Sequence, residues 1–217
     1  MTLGALVFDA YGTLYDVHSV VQRCETCFPG KGTQLSLLWR AKQLEYTWQR
    51  SLMQRYVPFS QLTREALSYS CAALGLDAAE HMEPLMAEYH CLAPFPEVRE
   101  VLERLPLKKA ILSNGSPDLL MPLVRHSDLH LDAILSVDQL RVYKPAPQVY
   151  EMAVKRLGVA KERIGFVSSN CWDALGAKSY GFRVYWVNRA GAPLDQLGFR
   201  PDAELSSLAQ LPDEVLR

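Results

Sequence analysis

Apolar and polar positions along the 217-residue chain fall into two alternating patterns. Near the amino end, the unbroken apolar run Leu6-Val7-Phe8 predicts a strand buried on both faces. It stops at a carboxylate, Asp9, and Gly12 then lets the backbone turn tightly. Residues 17–28 have a helical pattern, broken by Pro29-Gly30-Lys31-Gly32. A long helix is predicted over 33–53. Leu37, Ala41, Leu44, Trp48 and Leu52 recur at three- and four-residue steps and share one face, while Leu35, Trp39, Tyr46 and Met53 form a second stripe opposite. A helix apolar on two sides needs two covers, one of them its own bundle and the other a second subunit. After Tyr56-Val57-Pro58-Phe59, Ser60 is placed to cap a helix that runs to about Leu74, before Gly75. Residues 78–91 suggest a fourth helix, weakened by Pro84.

From residue 95 strands and helices alternate. A helix is expected over 97–104, strands over 108–112, 134–137, 164–167 and 184–187, and helices beginning at Pro117 and Pro147. The latter ends at Gly158, and another helix ends at Gly181. The tail after Arg189 reads as loop and a short helix. This βα alternation argues for an α/β fold with a mostly parallel sheet, 1–15 and 95–217 forming the body and 16–94 an all-helical insertion.

Composition narrows the classes little. The chain is 49% hydrophobic and 22% charged with a net charge of −1, an ordinary make-up for a soluble protein with a sizeable core. No basic stripe suggests nucleic acid, and no run approaches a membrane span. The amino end lacks the pattern of a signal peptide, and five cysteines, an odd count, suit reduced thiols, so a cytoplasmic location is expected. Cys24-Glu25-Thr26-Cys27 is a CxxC with no second pair or His cluster at metal spacing, and free buried thiols explain it better than zinc or redox chemistry.

Four polar clusters follow strands or strand-like segments: Asp9 with Thr13, Ser113 with Asn114, Lys144, and Ser168 with Asn170 and Asp173. Each has a plain alternative. Asp9 and Ser113-Asn114 suit turns, Lys144 a surface, and Asp173 the first turn of a helix. In a parallel sheet, however, all strand ends face one way and ligands bind there, so the four clusters can converge. A buried carboxylate wants a cation, which Lys144 can supply. Arg40 lies beside the first stripe of the long helix, where a snorkelling or ion-paired arginine is the ordinary reading.

The succession Asp9-x-Tyr11-Gly12-Thr13-Leu14, Ser113-Asn114-Gly115, Tyr143-Lys144-Pro145 and Ser168-Ser169-Asn170-x-Trp172-Asp173 resembles the haloacid dehalogenase superfamily along the whole chain, helical insertion included. The resemblance implies a Rossmann-like core with an inserted cap. Within the superfamily the chain looks like the L-2-haloacid dehalogenases. The phosphatases carry a second acid two residues after the nucleophile and an acidic pair four residues apart near the fourth motif, where this chain has Tyr11 and Ser169. Asp9 and Asp173 beside Lys144 make a poor magnesium site, so no metal or cofactor is expected.

The resemblance further implies covalent catalysis on a small 2-haloacid. Asp9 would displace halide from C2, and water would then hydrolyse the aspartyl ester with Asp173 as base and Asn170 assisting. Arg40 and Asn114 match the halide-receiving pair. Ser113 and adjacent backbone N–H groups match the carboxylate site, and Lys144 supported by Ser168 keeps Asp9 ionised. Thr13 and Tyr150 match further hydroxyls around the site. Tyr11, Leu44, Phe59 and Trp172 match the apolar wall around the alkyl group, where plain core packing is the alternative. Ala41 stands where some members have glutamine, which bears on pocket size. The expected partners are a small 2-haloacid and its halide and, from the two-sided helix, a second copy in a homodimer. The rival readings are a magnesium-dependent phosphatase of the same superfamily and a non-catalytic binding protein on this fold.

Overall fold

The computed structural model describes residues 2–216. Its centre is β1 (Ala5–Phe8), all four residues of which are buried. Four helices follow, α1 (His18–Cys27), α2 (Gly32–Leu52), α3 (Phe59–Ala73) and α4 (Met82–Ala87). The chain then alternates through α5 (Val98–Arg104), β2 (Lys108–Ser113), α6 (Pro117–Ser127), β3 (Ala133–Ser136), α7 (Pro147–Leu157), β4 (Ile164–Ser168), α8 (Cys171–Tyr180) and β5 (Arg183–Val187), and it finishes with β6 (Ala203–Leu205) and α9 (Leu211–Val215). The sheet is parallel throughout, in the order β3-β2-β1-β4-β5-β6. That order reverses direction at β1, so a crevice opens beyond the carboxyl ends of β1 and β4, where open α/β sheets bind ligands. Local chemistry sets the element ends. Pro117 and Pro147 sit in the first turns of α6 and α7, where their missing N–H has no helical partner to lose. Gly158 and Gly181 end α7 and α8 in left-handed conformations.

Several local expectations need correction. Pro58, not Ser60, holds the N-cap position of α3. Ser60 lies inside the first turn and donates its backbone N–H to Ser116 Oγ on the sheet body at 3.1 Å. The segment 78–91 is not one helix: α4 starts at Met82 and passes into a 3-10 turn over Glu88–His90. Pro84 is accommodated because it falls in the first turn, before any intrahelical N–H is required. The tail adds a sixth strand, too short at three residues to show a period.

On α2 the two apolar stripes are unequal. Leu35 and Trp39 are buried together with Gln43 and Thr47, so the core face is half polar. Gln43 is satisfied there by Thr63 Oγ1 and by the Tyr89 hydroxyl, both at 3.1 Å. The opposite stripe faces outward, with Leu37 67% and Leu52 85% exposed. Of the stripe that holds Leu35 and Trp39, Met53 is exposed as well, and Tyr46 is only half-buried. All five cysteines are free thiols, and burial pushes Cys24 up to about 12, out of range of a reactive thiolate. Among the described residues no helix is long and apolar enough to cross a membrane.

Candidate active site

Asp9 extends the ladder by one residue, donating its N–H to Val167 O at 2.9 Å, so its side chain emerges where β1 and β4 end. Gly12, at a φ of +82°, turns the chain back immediately afterwards. The turn points the Thr13 hydroxyl at Asp9 Oδ2, 3.1 Å away. Asn170, just past β4, donates from Nδ2 to the same oxygen at 2.7 Å and to Tyr11 O at 3.2 Å. The other oxygen, Asp9 Oδ1, accepts from Lys144 Nζ at 3.1 Å.

Lys144 is itself buried and bridges to a second carboxylate, donating to Asp173 Oδ2 at 2.8 Å. Asp173 is fully buried in the first turn of α8. Its remaining oxygen, Oδ1, accepts from the Tyr150 hydroxyl at 2.8 Å, and Ser168 Oγ lies 3.3 Å from Oδ2. Two acids sharing one ammonium would be costly to bury without these donors. Burial works against the charge on Lys144, yet Asp173 and Asp9 outweigh it and hold the ammonium above its usual range. Burial first, and then the charge of Asp9, raises Asp173 to about 6 against the pull of Lys144. Tyr150 is held well above its ordinary value by burial and by Asp173, so it stays a donor.

Ser113 and Asn114 close the site from β2. The Ser113 hydroxyl accepts the Gly115 N–H at 3.0 Å, which leaves its own proton to donate. Asn114 Oδ1 accepts the Lys144 N–H at 2.9 Å, so its amide nitrogen points the other way. Tyr11 packs over Gly115, where a Cβ would fall 2.9 Å from its ring, and stacks on Phe59 at 5.9 Å between centroids. From α2, Arg40 Nη2 reaches Asn170 Oδ1 at 3.4 Å, and Leu44 stands half-buried one turn further along. Trp172 meets Trp48 of α2 edge to face at 5.7 Å.

The structure thus brings Asp9, Thr13, Lys144, Tyr150, Ser168, Asn170, Asp173 and Arg40 into one hydrogen-bonded set, with Ser113 and Asn114 at its rim. Tyr150 is buried and meets Asp173, and Leu44 stands on α2 with its side chain half-buried. Sequence reasoning missed Ser169 as a structural member. Its N–H donates to Thr13 Oγ1 at 2.9 Å and its hydroxyl to Gly12 O at 2.6 Å. It also missed Arg189, whose place just after β5 was the available signal.

The oxygens converge on nitrogen donors at two points. Asp9 Oδ1 and Asp173 Oδ2 meet Lys144 Nζ, and Asp9 Oδ2 and Tyr11 O meet Asn170 Nδ2. A divalent cation, which wants such oxygens for itself, does not fit this donor set.

Comparison with known proteins gives the family. The model of the haloacid dehalogenase-like hydrolases matches residues 3–181. The chain is 52% identical over 209 residues to the (S)-2-haloacid dehalogenase of Pseudomonas sp. (strain YL), covering 94% of this chain and 90% of that one. A crystal structure of an L-2-haloacid dehalogenase superposes with a TM-score of 0.98 at 44% identity, covering all of both chains. The L-2-haloacid dehalogenase of Xanthobacter autotrophicus, solved with chloropropionic acid covalently bound, superposes at 0.93 with 40% identity over 99% of each chain. By sequence, fold and the polar set at the strand ends, the chain belongs to the haloacid dehalogenase-like hydrolases, in their L-2-haloacid dehalogenase branch.

Proposed function

We propose that the protein hydrolyses short-chain L-2-haloacids to D-2-hydroxy acids, with Asp9 as nucleophile. The single observation that carries this reading is the setting of Asp9: a carboxylate at the switch point of the sheet, ion-paired with a buried lysine and hydrogen-bonded by Thr13 and Asn170. The relatives' names supply the substrate class, and the Xanthobacter autotrophicus complex supports a covalent route. In this reading an Asp9 oxygen attacks C2 from behind, the C2–halogen bond breaks with its electron pair leaving on the halide, and C2 inverts. Halide needs no proton to depart. Arg40 and the Asn114 amide receive it, stabilising charge that grows in the transition state. Ser113 and neighbouring N–H groups hold the substrate carboxylate, and Tyr11, Leu44, Phe59 and Trp172 enclose the alkyl group. Water then attacks the Asp9 carbonyl carbon, giving its proton to Asp173 and releasing the hydroxy acid with the oxygen that Asp9 brought.

Helices α1–α4 act as a cap on the core formed by 1–15 and 95–217. The outward stripe of α2 joins two copies in a homodimer, and sedimentation at twice the 24.5 kDa chain mass is the expected result. The magnesium-dependent phosphatase reading is weaker, because Tyr11 and Ser169 replace its acids and nitrogen donors occupy both oxygen pairs. Replacing Asp9 with Asn tests the reading: halide release from L-2-chloropropionate should vanish, and unchanged release would defeat it.

A further inference from the structure

Arg189, immediately beyond β5, has no part in the chemistry above. Its guanidinium donates from Nη1 to Gly12 O and from Nη2 to Thr13 O, each at 3.1 Å. Nη2 also meets Glu97 Oε1 at 3.0 Å, and the guanidinium carbon lies 3.8 Å from the centroid of the Phe95 ring. Both members of the Arg189–Glu97 pair are only about one-fifth exposed. The two carbonyls it binds belong to the turn that follows Asp9.

The same turn is gripped from the other side. Gly12 O accepts the Ser169 hydroxyl as well, so both of its lone pairs are used, one by the loop after β4 and one by the loop after β5. Thr13 Oγ1 accepts the Ser169 N–H and donates to Asp9. A planar fork is suited to two adjacent carbonyls in a way that an ammonium is not. We infer that Arg189, held by Glu97, is a positioning residue for the displacement: it locks the Gly12–Thr13 turn so that the Thr13 hydroxyl keeps Asp9 aimed at C2. The inference rests on Asp9 acting as the nucleophile. A misplacement of the order of 1 Å costs up to about a hundredfold in rate, so a turn that merely drifts is enough to be seen.

The test compares Arg189→Met and Arg189→Lys with the unaltered chain, measuring kcat and KM for halide release from L-2-chloropropionate together with Tm. A purely structural pair would lower Tm and leave kcat alone. We expect kcat to fall by about thirtyfold or more in Arg189→Met with KM held within about twofold, Arg189→Lys to fall in between, and added guanidinium ion to restore part of kcat in Arg189→Met. Arg64→Met, which breaks the exposed Arg64–Glu83 pair on the helices, should leave kcat unchanged. If Arg189→Met does not fold, Glu97→Gln takes its place and should lower kcat severalfold with KM held. A kcat equal to that of the unaltered chain, or a rise in KM alone, would overturn the inference. If the unaltered chain released no halide, the reading of the whole site would fall first.

Discussion

Arg40 Nη2 lies 3.4 Å from Asn170 Oδ1, so α2 and the loop after β4 meet at a long hydrogen bond. Asn170 spends its other end on Asp9, so that amide links guanidinium and carboxylate. A bond this long is weak and easily exchanged. In the proposed mechanism the guanidinium turns from Asn170 to the departing halide at little loss. Replacing Arg40 with Met should lower kcat for halide release by about a hundredfold or more, the scale seen when a donor to developing charge is removed. Arg40→Lys should keep part of the activity. Steady-state kinetics with a halide electrode check this, and an unaltered kcat in Arg40→Met would exclude the halide role.

The pH dependence follows from Asp173. Burial raises it from 3.8 to about 6, so the base form is lost as pH falls through that region. Activity should decline on an acid limb centred near pH 6. Stability moves the opposite way. Between about pH 4 and pH 6 the folded protein binds a proton at this site that the unfolded chain does not, so this group's contribution weakens as pH rises through that window and is flat above it. A pH–rate profile and a denaturation series over the same buffers read both. An acid limb that tracks the stability change in sign would implicate unfolding instead of the base.

Tyr150 props Asp173, the proposed base, and Gly176 on α8 makes room for it. A Cβ at 176 would stand 2.6 Å from the Tyr150 hydroxyl and 2.6 Å from Pro145 Cβ. Gly176→Ala should destabilise the protein by about 1–3 kcal/mol, as overpacking of a filled core does. Because the Tyr150 hydrogen bond lowers the Asp173 pKa, losing it should also move the acid limb upward, and Tyr150→Phe should do the same with a smaller loss of stability. Thermal melts and pH profiles of the two variants test this together.

Much of the site was legible because punctuation and chemistry coincide. Asp9, Ser113 and Ser168 each end or directly follow a hydrophobic strand, and a parallel sheet delivers such positions to one end. Lys144 does not follow a strand as expected: it lies in the loop between the 3-10 turn Val137–Leu140 and α7, and its side chain reaches Asp9 from there. The face of α2 was not legible for a specific reason. Gln43 and Thr47 are buried and satisfied by groups on other elements or one turn back, so counting apolar positions could not tell which of the two stripes faces the core. The β6 strand and the Arg189 fork depend on contacts across more than a hundred residues or on three-residue pairings, which periodicity cannot carry. The resemblance put the Tyr150 hydroxyl at the site, but its partner, Asp173, was hidden because the contact joins two different helices.

The most direct measurement is a single turnover of L-2-chloropropionate in heavy-oxygen water, with the peptide containing Asp9 and the hydroxy acid both weighed by mass spectrometry. If Asp9 forms the ester and water attacks its carbonyl, the heavy atom enters Asp9 while the first hydroxy acid carries ordinary oxygen. Heavy oxygen in the hydroxy acid from that first turnover, with Asp9 unlabelled, would mean that water attacks C2 directly and would contradict the account.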